Sequence, residues 1–330
     1  MARIIGKGYS YEDVLIVPKY NKVISRKDVC MKTKVTRNYE IEIPILVANM
    51  DTTCEAPMAI AIGKLGGLGV LHRFNTIESQ SKQVKMIKSK KLIAAAALGV
   101  KDYKERLEAL SNAGVNIIVL DIAHGHSKYA GKTLDFIKEN YPHIDVMAGN
   151  VATKDAAEYF LSKGADAIKI GIGPGSMCTT RIMTGAGVPQ ITAIMDVYEG
   201  TQGRIPICAD GGLKYPGDVS KAIAGGASTI YSGSFFAGTD ESPGMVIMKD
   251  GRRYKQYFGS ASYQSSHLRK ENERGKLVKE RLDVFVEGVS NLVDYKGPVS
   301  EVINGLVRGL SSGVSYCGAR NIKEMQEKAE

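Results

Sequence analysis

The chain has 330 residues, 44% hydrophobic and 24% charged, which excludes a disordered polymer and fits a soluble globular protein of barrel size. Basic residues outnumber acidic ones 44 to 35, a formal net charge of +9. That charge is dispersed and Trp is absent, so phosphorylated small molecules are expected as partners rather than nucleic acid.

The opening "MARIIGKGYSYEDVL" has no secretory h-region, and no apolar run approaches the ~20 residues that span a bilayer. A cytoplasmic protein with no membrane partner is expected. Eight short apolar runs then recur: "IPILVANM" (43–50), "GGLGVLH" (66–72), "LIAAAAL" (92–98), "NIIVLD" (116–121), "DVMAGN" (145–150), "AIKIGI" (167–172), "IPICAD" (205–210) and "TIYSGS" (229–234). Near-continuous apolarity of this kind suits parallel strands buried on both faces. Segments such as "DAAEYFLSKGA" and "PGDVSKAIAGGA" lie between them with helical spacing and terminal glycines. Eight strand–helix units predict a (β/α)₈ TIM barrel, with a doubly wound sheet as the alternative. One domain over 1–330 is expected. The strand ends carry Asn49, Asp51, His72, Arg73, Asp121, Asn150, Gly173, Asp210 and Ser234, on the edge where barrels build active sites.

From about 244 to 296 the composition changes. "SSHLRKENERGKLVKERLDVF" has little apolar surface to bury, which predicts a mobile lid, with a solvated insertion as the other reading. The final run "VSEVINGLVRGLSSGVSYCGA" reads as a closing structural helix.

Chemistry concentrates in "GIGPGSMCTTR", Gly171 to Arg181. Glycines there bring backbone N–H groups close to a ligand, although the spacing is not the dinucleotide fingerprint. Ser176 can donate to a phosphate oxygen, and Cys178 is the candidate nucleophile. The other four cysteines (Cys30, Cys54, Cys208, Cys317) lie far apart without a CxxC pair, so neither a zinc site nor a disulfide framework is expected; most should be small buried hydrophobes. "ADGGLKYPGD" adds Asp210, Gly211 and Gly212, and "SGSFFAG" adds Gly233 and Ser234, at the strand ends where barrels bind phosphate.

The run "KIGIGPGSMCTTR…TGAGVPQ", with "YEDVLIVP", "ANMDT", "GNVAT", "ADGG" and "GSFFAGTDESPG", resembles the IMP dehydrogenase and GMP reductase family from about Tyr9 to Ala319. The resemblance implies a barrel, commonly a homotetramer, acting on a purine nucleoside monophosphate. It implies that Cys178 attacks the purine C2, and that Asp210 holds the ribose. Ser176, Gly211, Gly212, Gly233, Ser234, Tyr257, Gly259 and Ser260 would bind the rest of the nucleotide. Arg73, Asp121, Asn150 and Gly171 would lie near the nicotinamide. The carbonyls of Gly173, Gly175 and Cys178 resemble a potassium site.

Three features bear on which family activity is implied. The regulatory domain pair that many dehydrogenases insert after the second strand is missing here. No Arg between Gly259 and Glu287 is followed by Tyr, so the water-activating Arg-Tyr pair of dehydrogenase lids is not found. "LHRFN", "LDIAHGHS" and "YKQYFGSAS" look like bacterial GMP reductases, whereas "CTTRIMTGAGVPQ" and the long lid lie closer to dehydrogenases. The reading is a reductase with NADPH as cofactor and Thr180 and Glu287 as proton relay. The alternatives are an IMP dehydrogenase using NAD and a purine-nucleotide-binding barrel without turnover.

Overall fold

A computed structural model describes residues 4–274 and 286–330. Eight parallel strands close on themselves: β1 (Ile45–Val47), β2 (Leu68–Leu71), β3 (Ala95–Leu98), β4 (Ile117–Leu120), β5 (Asp145–Val151), β6 (Ala167–Ile170), β7 (Ile207–Asp210) and β8 (Thr229–Ser232). Closure places Ile230 of β8 beside Ile45 of β1. All eight predicted runs became barrel strands, and the doubly wound alternative falls away because no edge is left open.

Alternation within each strand sorts the side chains. Ile118, Leu120, Ile168, Ile170 and Ala209 join the outer core against the helices, while Ile117, Val119, Ala167, Cys208 and Tyr231 form a second cluster with Leu46 and Val70. That second cluster draws on every strand, so it fills the barrel interior. The same period turns Lys169 and Asp210 inward, at the end of the barrel where the strands finish.

Helices between strands start where capping chemistry allows. Thr76, Ser127 and Thr153 accept backbone N–H bonds at the starts of Ile77–Lys88, Lys128–Asn140 and Lys154–Ser162. Only the helix Ile77–Lys88 and its short connections join β2 to β3. The closing helix, Val299–Tyr316, buries Val299, Ile303, Leu306, Leu310 and Val314 on one stripe. Among the described residues, no helix is long and apolar enough to cross a membrane.

The region after β8 is more ordered than its composition suggests. Strands Ile247–Lys249, Arg252–Phe258 and Ser290–Asp294 form an antiparallel sheet, with a helix at Tyr263–Arg274 between the second and third strands in chain order. Asp250 and Gly251 both have positive φ, the geometry of a tight hairpin turn. The part of the expected lid at 275–285 lies outside the described residues. Of the other four cysteines Cys54, Cys208 and Cys317 are buried, as expected for most of them, and Cys30 is exposed. Its extended segment lies outside the barrel, where Cys30 forms a bridge with Asn321.

Candidate active site

The loop after β6 is shaped by what lies behind it. Gly171 has φ 137°, and a Cβ there would sit 2.3 Å from the carbonyl of Asp210, so no other residue fits without moving β7. Gln190 Nε2 donates to the carbonyls of Ile170 (3.0 Å) and Asp210 (3.1 Å), tying the ends of β6 and β7 together. Arg181 Nε and Nη2 donate to the carbonyls of Ile172 and Val188, at 2.9 and 2.6 Å, and fold the loop back over its own base.

This brings Cys178, half-buried, against a strand-like segment returning from the excursion. Val289 N donates to the Met177 carbonyl at 3.0 Å, and Thr179 N donates to the Glu287 carbonyl at 2.8 Å. The pairing sets three side chains in a row. Cys178 Sγ lies 3.1 Å from Thr180 Oγ1, which donates to Glu287 Oε2 at 2.5 Å. Since the Thr180 proton points at the carboxylate, the Cys178 thiol donates to Thr180 Oγ1.

A cavity of 1630 Å³ opens over this row. Every residue expected to bind nucleotide lines it: Ser176, Asp210, Gly211, Gly212, Gly233, Ser234, Tyr257, Gly259 and Ser260. Gly233 is required by crowding, since a Cβ would lie 2.6 Å from both Met50 Sδ and Tyr257 Oη. Burial pushes the Tyr257 phenol well above its ordinary pKa, so it stays a neutral donor. Arg73, Asp121, Asn150 and Gly171 line the same cavity. Arg73 Nε donates to Asp121 Oδ2 at 2.7 Å. Burial opposes the Asp121 charge, but Arg73, Lys169 and the hydrogen bonds from Asn49 and Arg73 outweigh it, and the carboxyl is held below its ordinary value. Gly173, Gly175 and Cys178 share one turn in which Cys178 N donates to the Gly175 carbonyl at 3.0 Å.

The sequence reading missed Lys169. Its side chain is 4% exposed, and Nζ donates to Asp210 Oδ2 at 2.6 Å and to Asn150 Oδ1 at 2.5 Å. Asn150 Nδ2 donates to Asp210 Oδ2 at 2.9 Å, so a triangle fixes the carboxylate. Asn49 escaped a role too; its Oδ1 accepts from Tyr231 Oη at 2.6 Å. The available signal was the lysine inside "AIKIGI", because a charge at an inward strand position has to find a partner. Replacing Lys169 with Met should lower unfolding free energy by about 2–3 kcal/mol in urea titrations. Breaking a fully buried pair costs more, about 3–5 kcal/mol, but Asp210 keeps 22% of its side chain exposed. An unchanged midpoint would mean that water solvates Asp210 well enough alone.

Comparison with known proteins agrees with this geometry. The sequence profile of the IMP dehydrogenase / GMP reductase domain matches residues 8–330. The inosine-5′-monophosphate dehydrogenase of Nitrosopumilus maritimus is 34% identical, over 98% of this chain and 95% of its own. The GMP reductase of Leishmania donovani is 32% identical, over 98% and 94%. Among solved structures, a Cys-to-Ala variant of GMP reductase from Trypanosoma brucei, in complex with guanosine 5′-monophosphate, superposes with a TM-score of 0.93. It is 30% identical and the match covers 99% of this chain and 95% of that one. With the profile matching almost the whole chain and the cysteine loop seated at the strand ends of a closed barrel, the chain belongs to the IMP dehydrogenase / GMP reductase family of nicotinamide-dependent oxidoreductases.

Proposed function

We propose that this protein is a GMP reductase, catalysing GMP + NADPH + 2 H⁺ → IMP + NADP⁺ + NH₄⁺. The observation that carries the reading is the unbroken hydrogen-bonded row from Cys178 Sγ through Thr180 to Glu287. Amine expulsion needs a proton at the departing nitrogen, and this row can supply one. Glu287 takes the thiol proton through Thr180 as Cys178 Sγ bonds to C2 of GMP. The same proton returns to the amino group, the C2–N bond breaks, ammonia departs, and a thioimidate is left on Cys178. Asp210, held by Lys169 and Asn150, accepts from the ribose hydroxyls, and the glycine-rich turns with Ser176, Ser234 and Tyr257 donate to the phosphate.

The residues fit a nicotinamide cofactor as well. The cavity exceeds what one mononucleotide fills, and Arg73, Asp121 and Asn150 stand beside the cysteine loop within it. When bound, the cofactor supplies hydride to C2, which releases IMP and returns the thiolate. The carbonyls of Gly173, Gly175 and Cys178 as a potassium site, a lid over the mouth and a homotetrameric assembly belong to the same proposal.

The excursion favours reduction over hydrolysis. In sequence, Arg269, Arg274 and Arg281 are followed by Lys, Gly and Leu. The remaining Arg-Tyr pair, Arg253-Tyr254, lies in the strand Arg252–Phe258, and the Arg253 guanidinium packs 4.2 Å from the Tyr295 ring centroid. That arginine is engaged in the sheet. Dehydrogenation of IMP is the second reading, because relatives named for that activity match equally broadly. The missing insertion after β2 does not separate the two, since relatives under both names align over more than 450 residues, longer than this chain. Two cuvettes decide. With GMP and NADPH, absorbance of the reduced nicotinamide should fall; with IMP and NAD it should stay flat. The reverse pattern would make the protein a dehydrogenase.

A further inference from the structure

Behind the wall of the nucleotide pocket stands a cation that does not face the cavity. Lys296 follows the third strand of the excursion's sheet and is half-buried, and it is not among the residues that line the cavity. Its Nζ donates to the carbonyls of Ser234 (2.6 Å) and Phe235 (3.1 Å), in the turn after β8 whose Gly233 and Ser234 do line it. Among the described residues no carboxylate pairs with this ammonium. Burial pushes its pKa down, with Asp294 opposing the shift in part. An unpaired cation held in a half-buried place costs stability, so its charge calls for a use.

The fold does not need that side chain to place its own segment. Lys296 N donates to the Gly238 carbonyl at 2.8 Å, and Asp240 N to the Gly297 carbonyl at 2.9 Å. The two backbones run so close that a Cβ on Gly238, whose φ is 90°, would lie 2.3 Å from the Asp294 carbonyl. Backbone contacts thus fix 238–240 against 294–297, and the lysine reaches back to the earlier part of the turn. What it does there follows from peptide geometry, since C=O and N–H of one trans unit point opposite ways. With the Ser234 carbonyl held on the ammonium, the N–H of Phe235 faces away and meets Ser232 Oγ at 3.4 Å. Ser232 Oγ lies 3.4 Å from Ser234 Oγ. A hydroxyl that accepts from Phe235 can give its own proton to Ser234, which frees the Ser234 proton for an acceptor in the cavity. Lys296 therefore orients a donor and adds positive charge behind it. Both suit a phosphate dianion.

We infer that Lys296 is a positioning residue of the phosphate pocket: by holding the Ser234 and Phe235 carbonyls it aims the turn after β8 at the 5′-phosphate of the purine nucleotide. This rests on the reading that a purine nucleoside monophosphate fills the pocket. It deepens that reading by separating what selects the phosphate from what holds base and ribose.

Calorimetric titration of paired ligands isolates the phosphate: GMP against guanosine, and IMP against inosine. In Lys296→Met both nucleotides should bind at least about tenfold more weakly, while the nucleosides keep their native affinity. Lys296→Arg keeps the charge and should restore most of the difference. Lys296→Gln is neutral with one donor group left; it should behave like the Met variant and replaces it if that one does not fold. Lys255→Met is the control for general loosening. That buried lysine donates to the carbonyls of Ser242 (2.7 Å) and Asp240 (3.3 Å) in the same loop, but to neither Ser234 nor Phe235. It should leave the nucleotide-to-nucleoside ratio unchanged. An unchanged ratio in Lys296→Met, equal weakening of nucleotide and nucleoside, or the same loss of ratio in Lys255→Met would each overturn the assignment. None of these depends on which purine nucleotide is turned over. GMP reduction by the native protein with an unchanged ratio in the variant would sink the role of Lys296 alone, and IMP oxidation with the ratio lost would sink the reductase alone.

Discussion

Cys178→Ala will abolish turnover of the purine nucleotide and leave its binding measurable. Loss of a covalent nucleophile costs roughly 10⁴–10⁶ in rate, because the steps that depend on it have no substitute path. The other cysteines cannot take over. Burial pushes the thiols of Cys54 and Cys317 up, and that of Cys208 up to about 12, so none of them offers a thiolate at neutral pH. Cys30 is exposed but sits outside the barrel, bridged to Asn321. Binding should persist because Asp210, Ser234 and Tyr257 do not depend on the sulfur for their positions: Lys169 and Asn150 hold the first, β8 carries the second, and the sheet of the excursion carries the third. Initial rates of nicotinamide consumption and nucleotide titration of the same preparation check both halves. Residual activity above about a thousandth of native would move the nucleophile elsewhere.

The barrel was legible because each of its strands is short, apolar and buried on both faces, so the pattern survives without knowledge of the partners. The eight segments carry their chemistry at the C-terminal ends, and the parallel strand order, with β5 and β7 flanking β6, brings Asp210 beside Asn150 although 60 residues separate them. Lys169 was hidden by the same logic. Inside "AIKIGI" it looks like an interruption in an apolar run, and only the inward phase of β6, set by Ile168 and Ile170 facing the helices, shows that it meets Asp210. The excursion misled for another reason. Its charged composition outweighed the Asp250-Gly251 turn flanked by "MVIMK" and "RRYKQYF", a hairpin signal that was present in the sequence. That hairpin matters to the site, since its second strand pairs with Ser290–Asp294, which begins three residues after Glu287. The Glu287 carboxylate is thus placed beside Thr180 by a sheet whose existence the composition concealed.

Glu287→Gln should separate the two halves of the reaction. Glutamine keeps the length and an acceptor for the Thr180 hydroxyl, so the row from Cys178 stays in place while its terminal proton store is removed. Loss of ammonia requires that store twice, once to take the thiol proton and once to return it to the amine. Hydride transfer to C2 requires it at neither atom. The variant should therefore lose about 10²–10⁴ in the ammonia-forming half, equivalent to about 3–5 kcal/mol. An exposed ion pair is worth at most about 1 kcal/mol, so a defect of that size could not come from a lost surface contact. The halves can be measured apart. Ammonia released from GMP in a single turnover reports the first, and nicotinamide reduction with IMP and NADP⁺, the second half run backwards, reports the other. Thr180→Val should show the same asymmetry, since it removes the bridge between sulfur and carboxylate while preserving shape. Equal slowing of both halves would mean that Glu287 positions the Cys178 loop through its backbone pairing with Thr179, and the proton would have to come from another group in the cavity.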